Sequence, residues 1–279
     1  MAVQIIKASG ETEYFDLLKV RRACLRAGAS LKIVDSITAE INHFIYDGIS
    51  TTEIYQEVGQ LLEKHTYNSS IKYRLKEAIM NMGPSGFPFE TYISEIFRHY
   101  GYRTKTRVVL RGACVNHEID IIIEKGTPPE TRRIIVECKY HNSSGIYTGL
   151  KEVLYTYARL LDLKEAYDKG VYDKIDEAWL ITNTKISHDA QEYSKCKGLR
   201  VIGWRYPYED GLEKMIEEKN LYPITILKSI DRNTLSKFSK AEIMLLRDLQ
   251  NLNIKTLSDK TNIPYSKLEK IKIDLQRMT

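Results

Sequence analysis

The sequence predicts an α/β chain in three parts: a mostly helical N-terminal domain, a central mixed sheet flanked by helices, and a small helical module at the end. Three observations carry that prediction. Apolar residues recur at helical spacing between Leu17 and Met82, short apolar strands alternate with helical stripes between Arg107 and Trp204, and helical spacing returns from Ser229 onward. The expected boundaries are 1–83, 87–224 and 225–279, and three small domains fit a chain of 279 residues.

With 43% apolar and 28% charged residues, the chain can fill ordinary cores and is neither disordered nor fibrous. Its most apolar runs, Ile119 to Ile123 and Ile134 to Val136, end at charges well short of the ~18–20 residues that cross a bilayer, so no membrane role is expected. Met1 to Gly10 has no apolar leader pattern, and Cys24, Cys114, Cys138 and Cys196 lack zinc-knuckle or dithiol spacing. The expected setting is the reducing cytoplasm. The net charge is +5, and residues 225–279 alone hold 11 Lys+Arg against 6 Asp+Glu, whereas residues 1–86 balance at 10 and 10. A basic end module suits a polyanion, and it equally describes a helical tail with many surface lysines.

The first domain opens with Val3 to Ile6, a turn at Ala8-Ser9-Gly10 and a return over Thr12 to Phe15, which reads as a β-hairpin. Stripes at Leu17/Val20/Cys24, Ile33/Ile37/Ile41, Ile54/Val58/Leu61 and Leu75/Ile79/Met82 give four helices. Ser50-Thr51-Thr52-Glu53 is a capping-box start for the third, and Gly83-Pro84 stops the fourth.

The strings Ile5-Ile6-Lys7-Ala8-Ser9-Gly10, Glu13, Phe15-Asp16, Lys19 and Tyr46 to Ile54 resemble the ATP-cone, the nucleotide-sensing domain of ribonucleotide reductases, over residues 3–82. The resemblance implies a pocket for ATP or dATP lined by Lys7, Glu13, Asp16, Lys19, Thr51 and Tyr55, with the lysines on phosphates. No Walker-type glycine-rich loop occurs in the sequence, so phosphate-loop hydrolysis is not expected.

Gly and Pro concentrate between Gly83 and Pro88 and mark a linker. Phe89, Tyr92, Ile93, Ile96 and Phe97 then make a helix ending at Gly101, with Glu90 at the edge of its stripe. Strands are expected from Arg107, over His117 to Ile123, and over Arg133 to Tyr140, with a turn between the last two at Gly126 to Arg132. Strand alternation puts Glu137 and Lys139 on one face and pairs Glu118 with Asp120. Leu150, Val153, Leu154, Tyr157, Ala158 and Leu161 give a further helix, followed by a strand at Ala178 to Thr182, a helix at Ala190 to Cys196 and a strand at Leu199 to Trp204.

Carboxylates and a lysine at the ends of neighbouring apolar strands need a metal, an ion pair or water. Asp120 and Glu137 could hold Mg²⁺ or Mn²⁺ through hard oxygens while Lys139 orients an attacking water, which is the chemistry of phosphodiester hydrolysis. Taken alone, the pattern also reads as a salt-bridged strand pair facing solvent.

The combination of Phe89-Glu90, Gly101-Tyr102, His117-Glu118-Ile119-Asp120 and Glu137-Cys138-Lys139-Tyr140 resembles the restriction-endonuclease-like PD-(D/E)XK fold, in its Mrr-type branch, over residues 87–206. By that resemblance Glu90, Asp120, Glu137 and Lys139 form the catalytic centre. Glu118 and Glu95 are the rival acids, and His117 is placed in a turn or the core rather than as a base. The helix after the Glu-x-Lys strand offers Lys151, Glu152 and Tyr155.

The tail, over Leu257 to Leu268, reads as helix, tight turn, helix, similar to helix-turn-helix and helix-hairpin-helix modules, with Lys267, Lys270 and Lys272 toward phosphates or a groove. A small packing or dimerisation bundle fits the same pattern.

The two main resemblances imply a metal-dependent DNA endonuclease tuned by ATP or dATP. The alternative is a non-catalytic, nucleotide-responsive DNA-binding regulator. A homo-oligomer is a further expectation, because cutting both strands commonly needs two sites.

Overall fold

The computed structural model describes residues 3–7, 10–127, 130–143, 145–170 and 174–276. Contacts divide the chain into two compact units, 1–78 with 273–279, and 79–272. Ala8 and Ser9 of the expected hairpin turn, and Pro128 and Pro129 of the turn before Arg132, lie outside the described residues.

In the first unit, β1 (Gln4–Ile6) pairs antiparallel with β2 (Thr12–Tyr14). Helices α1 (Leu17–Arg26) and α2 (Leu31–Phe44) follow, then the two-residue strand β3 (Ile49–Ser50), α3 (Thr51–His65) and α4 (Tyr67–Met80). β3 lies parallel to β1, with Ile49 opposite Ile5, so the segment read only as a helix entry also completes a sheet. Ser50 serves both elements: its hydroxyl accepts from the Glu53 amide at 3.1 Å, and the Glu53 carboxylate reaches back to Ser50. Val34, Ile37, Ile41, Ile49, Val58 and Leu62 are sealed from solvent in the core between these helices and the sheet.

The second unit is built on a five-stranded mixed sheet of order β10-β8-β6-β5-β4. β4 (Arg103–Arg111), β5 (Asn116–Lys125) and β6 (Arg132–Lys139) form an antiparallel meander; β8 (Glu177–Thr182) and β10 (Arg200–Ile202) add parallel to β6. β4 begins at Arg103, four residues before the expected start, because Arg103 to Thr106 pair with Ile121 to Glu124 despite their polar composition. Between β6 and β8 run β7 (Tyr147–Thr148) and α6 (Leu150–Asp168), and between β8 and β10 run β9 (Lys185–Ile186) and α7 (His188–Lys197).

Ahead of the sheet, α5 (Phe87–His99) starts with Pro88 in its first turn, where a missing amide hydrogen costs nothing, and ends before Gly101, whose φ of 82° closes the helix. Every residue from Pro88 to Phe97 is buried. Phe89, Tyr92, Ile93, Ile96 and Phe97 are each at most 1% exposed, and each such side chain stabilises the fold by on the order of 1.5–3 kcal/mol.

One side of α5 packs on β4 and β5, and another on α9 in the helical end of the chain. That end comprises α8 (Leu212–Glu218), α9 (Arg232–Lys240), α10 (Leu246–Asn251), α11 (Ile254–Thr261) and α12 (Tyr265–Gln276). The Tyr92 hydroxyl donates to the Leu221 carbonyl at 2.7 Å, Ser239 donates to Thr91 at 3.2 Å, and Arg98 pairs with Glu242 at 2.9 Å. Up to Lys272 the tail therefore groups with the sheet rather than standing apart.

Two expectations for this unit need correction. The buried face of α6 is Val153, Thr156, Arg159, Leu160, Leu163 and Ala166, whereas Leu154 and Leu161, assigned to its apolar stripe, are 42% and 49% exposed. In the tail, α11 and α12 do form a helix, turn and helix, but two of the three lysines are engaged. Lys267 pairs with Asp231, and Lys272 is half-buried and caps α10 by donating to the Leu249 and Leu252 carbonyls. Lys270 is exposed.

Candidate active site

The site forms where the β5/β6 ladder ends. Paired residues run from Lys125↔Arg132 to Ile121↔Val136; at the next step the Asp120 carboxylate takes the Cys138 amide at 2.7 Å in place of a backbone carbonyl. That substitution holds Asp120 beside Glu137, which shares a face of β6 with Lys139. On the other side of Asp120, Arg107 of β4 has φ 54°, a conformation rare for a residue with a Cβ, and the β4/β5 pairing skips from Thr106↔Ile121 to Val108↔Ile119.

Glu90, in the first turn of α5, is 9% exposed, and its Oε2 is buried with no hydrogen-bond partner. The Arg107 guanidinium stands 3.7 Å from that oxygen. Burial first, then the Asp120 charge, pushes the Glu90 carboxyl up to about 7, with Arg107 pulling the other way. Burial and Asp120 push Glu137 up to about 7 as well, against Arg159 and Lys139, and burial raises Asp120 itself while the Cys138 amide opposes it. Burial is thus the main cause for all three carboxyls, and the Asp120 charge adds to it at Glu90 and Glu137.

Lys139 lies 4.0 Å from Glu152 of α6, whose other oxygen accepts the Gly149 amide at 3.1 Å. Arg159, 8% exposed, donates from Nη1 to the Glu137 carboxylate and from Nη2 to the Tyr155 hydroxyl at 2.8 Å, and its Nε is buried without a partner. Sequence reasoning missed Arg159. Its signal was present: Tyr155 and Arg159 stand four apart on one helix, beside polar Thr156, facing the ends of the acidic strands.

The structure therefore brings Glu90, Asp120, Glu137 and Lys139 together and adds Arg107 and Arg159. Glu118 is exposed and acts on the site through its charge. Glu95 is elsewhere on α5, paired with Arg98 at 2.5 Å. His117 lies 2.7 Å from Asp162, which also accepts the Cys114 amide at 2.8 Å and so clamps the β4–β5 turn.

Among the described residues, no group of three or more His, Cys, Asp or Glu side chains is arranged to hold a metal ion as they stand. Mg²⁺ commonly uses only one or two carboxylates, keeping waters and substrate phosphates as its other ligands. Two hard-oxygen side chains on adjacent strands, with an orphaned third carboxylate oxygen beside them, fit that requirement.

In the first unit, Glu13 draws two lysines together, Lys7 at 3.3 Å and Lys19 at 3.0 Å. Asp16 caps α1 through the Leu18 amide at 2.9 Å, and Thr51 opens α3. Tyr55 donates to the Tyr73 carbonyl at 2.9 Å and stacks on the Tyr73 ring at 4.7 Å.

Comparison with known proteins places this chain in a family. The family described as "AF1548-like, C-terminal" matches residues 222–278. A solved structure titled "Protein of Unknown Function AF1548" superposes with a TM-score of 0.62 at 33% identity, covering 69% of this chain and 97% of that one. The chain belongs to the AF1548-like family. An uncharacterized protein of Archaeoglobus fulgidus is 40% identical over 157 residues, 56% of this chain and 83% of that protein. The family described as "Restriction endonuclease" matches residues 82–203, which takes in α5, the whole sheet and all four expected catalytic residues of this AF1548-like chain. The MspJI restriction endonuclease in complex with a 27-mer oligonucleotide aligns at 13% identity and a TM-score of 0.33, over 71% of this chain and 40% of that one. By the restriction-endonuclease family match, residues 82–203 form a restriction-endonuclease-like domain with a mixed sheet flanked by helices. Among the described residues no helix is long and apolar enough to cross a membrane.

Proposed function

We propose that this chain is a metal-dependent endodeoxyribonuclease that hydrolyses DNA phosphodiester bonds at Glu90, Asp120, Glu137 and Lys139. One observation carries the reading: a buried carboxylate oxygen, Oε2 of Glu90, has no hydrogen-bond partner at the place where two strand carboxylates and a lysine converge.

Asp120 and Glu137 would hold Mg²⁺ or Mn²⁺. That ion would lower the pKa of a bound water and take up charge on the phosphoryl oxygens. Arg159 donates to one Glu137 oxygen and the Cys138 amide to one Asp120 oxygen, so each carboxylate keeps a second oxygen for the ion. Lys139 is 44% exposed and held only loosely by Glu152, so its flexible stem can bring Nζ to an attacking water or a phosphate oxygen. Glu90 Oε2 can hold a proton near neutral pH and so receive one released from water.

The test is cleavage of plasmid and phage DNA with Mg²⁺ or Mn²⁺, comparing wild type with Glu137→Ala and Lys139→Ala. Metal-dependent nicks lost in both variants support the reading. No cutting of any substrate, with salt-sensitive DNA binding intact in all three proteins, would instead favour a non-catalytic DNA-binding regulator.

For the N-terminal unit we propose a regulatory site for ATP or dATP, with Lys7 and Lys19 as the phosphate-binding pair. The support is their convergence on Glu13, an arrangement that a phosphate could enter by displacing one ion pair. Calorimetric titration of ATP and dATP into wild type and the Lys7→Ala and Lys19→Ala variants tests it, and sedimentation with and without nucleotide reads any coupling to a homo-oligomer.

A further inference from the structure

A cleft of about 370 Å³ opens between the Gly83–Pro88 segment, Arg107 and α9. Its volume lies in the range of small-ligand pockets, enough for about one nucleotide unit. The charge of its lining is one-sided: Arg107, Arg232 and Lys240 border it, and among the described residues no aspartate or glutamate does. Arg232 and Lys240 are exposed and sit at the two ends of α9, with Ser236 and Ser239 between them on the same helical face. From Arg232 to Lys240 the helix rises about 12 Å, the rise of about three phosphates along one DNA strand. The opposite wall is apolar. Phe87 is 55% exposed there, and the Arg107 guanidinium lies 5.8 Å from its ring centroid.

Arg107 also borders Glu90, so the cleft adjoins the carboxylate centre. Its φ of 54° is maintained in the middle of a strand, and backbone strain of that kind, of order 1–3 kcal/mol, persists where the surrounding structure imposes it. Here it marks a residue that belongs to both the cleft and the centre.

We propose that this cleft holds the DNA strand flanking the scissile bond, with the backbone tracking α9 from Lys240 to Arg232 and one base stacked on Phe87. A cationic track with an aromatic platform is the chemistry of single-stranded nucleic acid recognition. The choice of DNA rests on the endonuclease reading above, but the test does not need cleavage.

Binding of a labelled 20-nucleotide single strand and of the matching duplex is followed by fluorescence anisotropy on the full chain, without Mg²⁺, between about 50 and 300 mM salt. The Arg232→Ala/Lys240→Ala double variant is expected to bind about tenfold or more weakly, and the slope of log K against log salt should shrink by about 1.4–1.8. Phe87→Ala should weaken single-strand binding about fivefold or more, with a smaller effect on the duplex. Unchanged melting temperatures would show that all variants fold. Wild-type affinity and slope in the double variant would overturn the proposal. So would saturable binding of thymidine 3′,5′-bisphosphate that the double variant loses while keeping full DNA affinity, since the cleft would then serve a free nucleotide. A chain that never cuts DNA yet loses affinity and slope in these variants keeps the cleft and refutes the nuclease. A chain that cuts, with variants that bind normally, does the reverse.

Discussion

The Asp120 carboxylate and the Cys138 amide, 2.7 Å apart, replace a rung of the sheet with a side chain. The consequence is positional: Asp120 is fixed by the backbone of the strand that carries Glu137 and Lys139, so the three cannot drift apart without breaking β6 from β5. A carboxylate held this way keeps its second oxygen available.

Glu95 offers a stability experiment separate from the site. Burial pushes its carboxyl up to about 7, with the Arg98 charge opposing. A carboxyl raised above its unfolded value binds its proton more tightly in the folded state, so its contribution is complete below about pH 4.5 and disappears as pH rises through about 7. Glu95→Gln should flatten the loss of stability between pH 5 and pH 8 by up to about 3 kcal/mol in urea titrations. Parallel curves for wild type and variant would contradict this.

Glu90→Gln should raise stability at pH 8 in the absence of divalent metal by about 1–3 kcal/mol, because a buried and incompletely satisfied charge disappears. The same substitution should reduce the stabilisation gained on adding Mn²⁺. Paired thermal melts read both effects, and a variant less stable than wild type at pH 8 would show that the Oε2 atom is satisfied in solution.

Removing Arg159 leaves Glu137 buried without its partner. Arg159→Gln should therefore cost about 1–3 kcal/mol at pH 8 and less at pH 5.5, where Glu137 carries a proton whether or not Arg159 is present. Arg159→Lys should not rescue it fully, since a single ammonium cannot reproduce the forked contacts to Glu137 and Tyr155. Equal costs at both pH values would argue for lost packing alone.

Asp162 accepts from His117 and from the Cys114 and Val115 amides; burial raises its carboxyl, but these hydrogen bonds outweigh that and lower it to about 2. A depressed carboxyl contributes above its unfolded pKa and loses that contribution as pH falls through about 2, so Asp162→Asn should be most destabilising above pH 4, by about 1–3 kcal/mol. Hydrogen exchange at the Cys114 and Val115 amides would rise with it; unchanged protection would mean that the turn holds without the clamp.

The sheet was legible because its strands carry Ile-rich runs bounded by turn residues; strand alternation put Glu137 and Lys139 on one face, and the resemblance to the restriction-endonuclease-like fold supplied the set of Glu90, Asp120, Glu137 and Lys139 that the structure brings together. Arg159 was not. The apolar stripe on α6 favoured Leu154 and Leu161, which face solvent, over Thr156 and Arg159, which are buried. The parallel pairing of Ile5 with Ile49 was equally hidden, since a two-residue strand has no period to detect. Nor could spacing show that Lys272 caps the carbonyls of α10, a contact made across 20 and 23 positions of sequence.

The enclosure of α5 bears on how this fold can be used. A helix buried along ten consecutive residues, Pro88 to Phe97, has no solvent side to spare. The segment 82–203 is therefore a poor choice for transplantation: cut from α8 and α9, it would carry a bare greasy rod whose nearest remedy is another copy of itself. Chimeras meant to move the carboxylate centre to a new DNA-targeting partner should keep the chain through Lys272, and their fusion points belong on the exposed surface, away from the ends of α5.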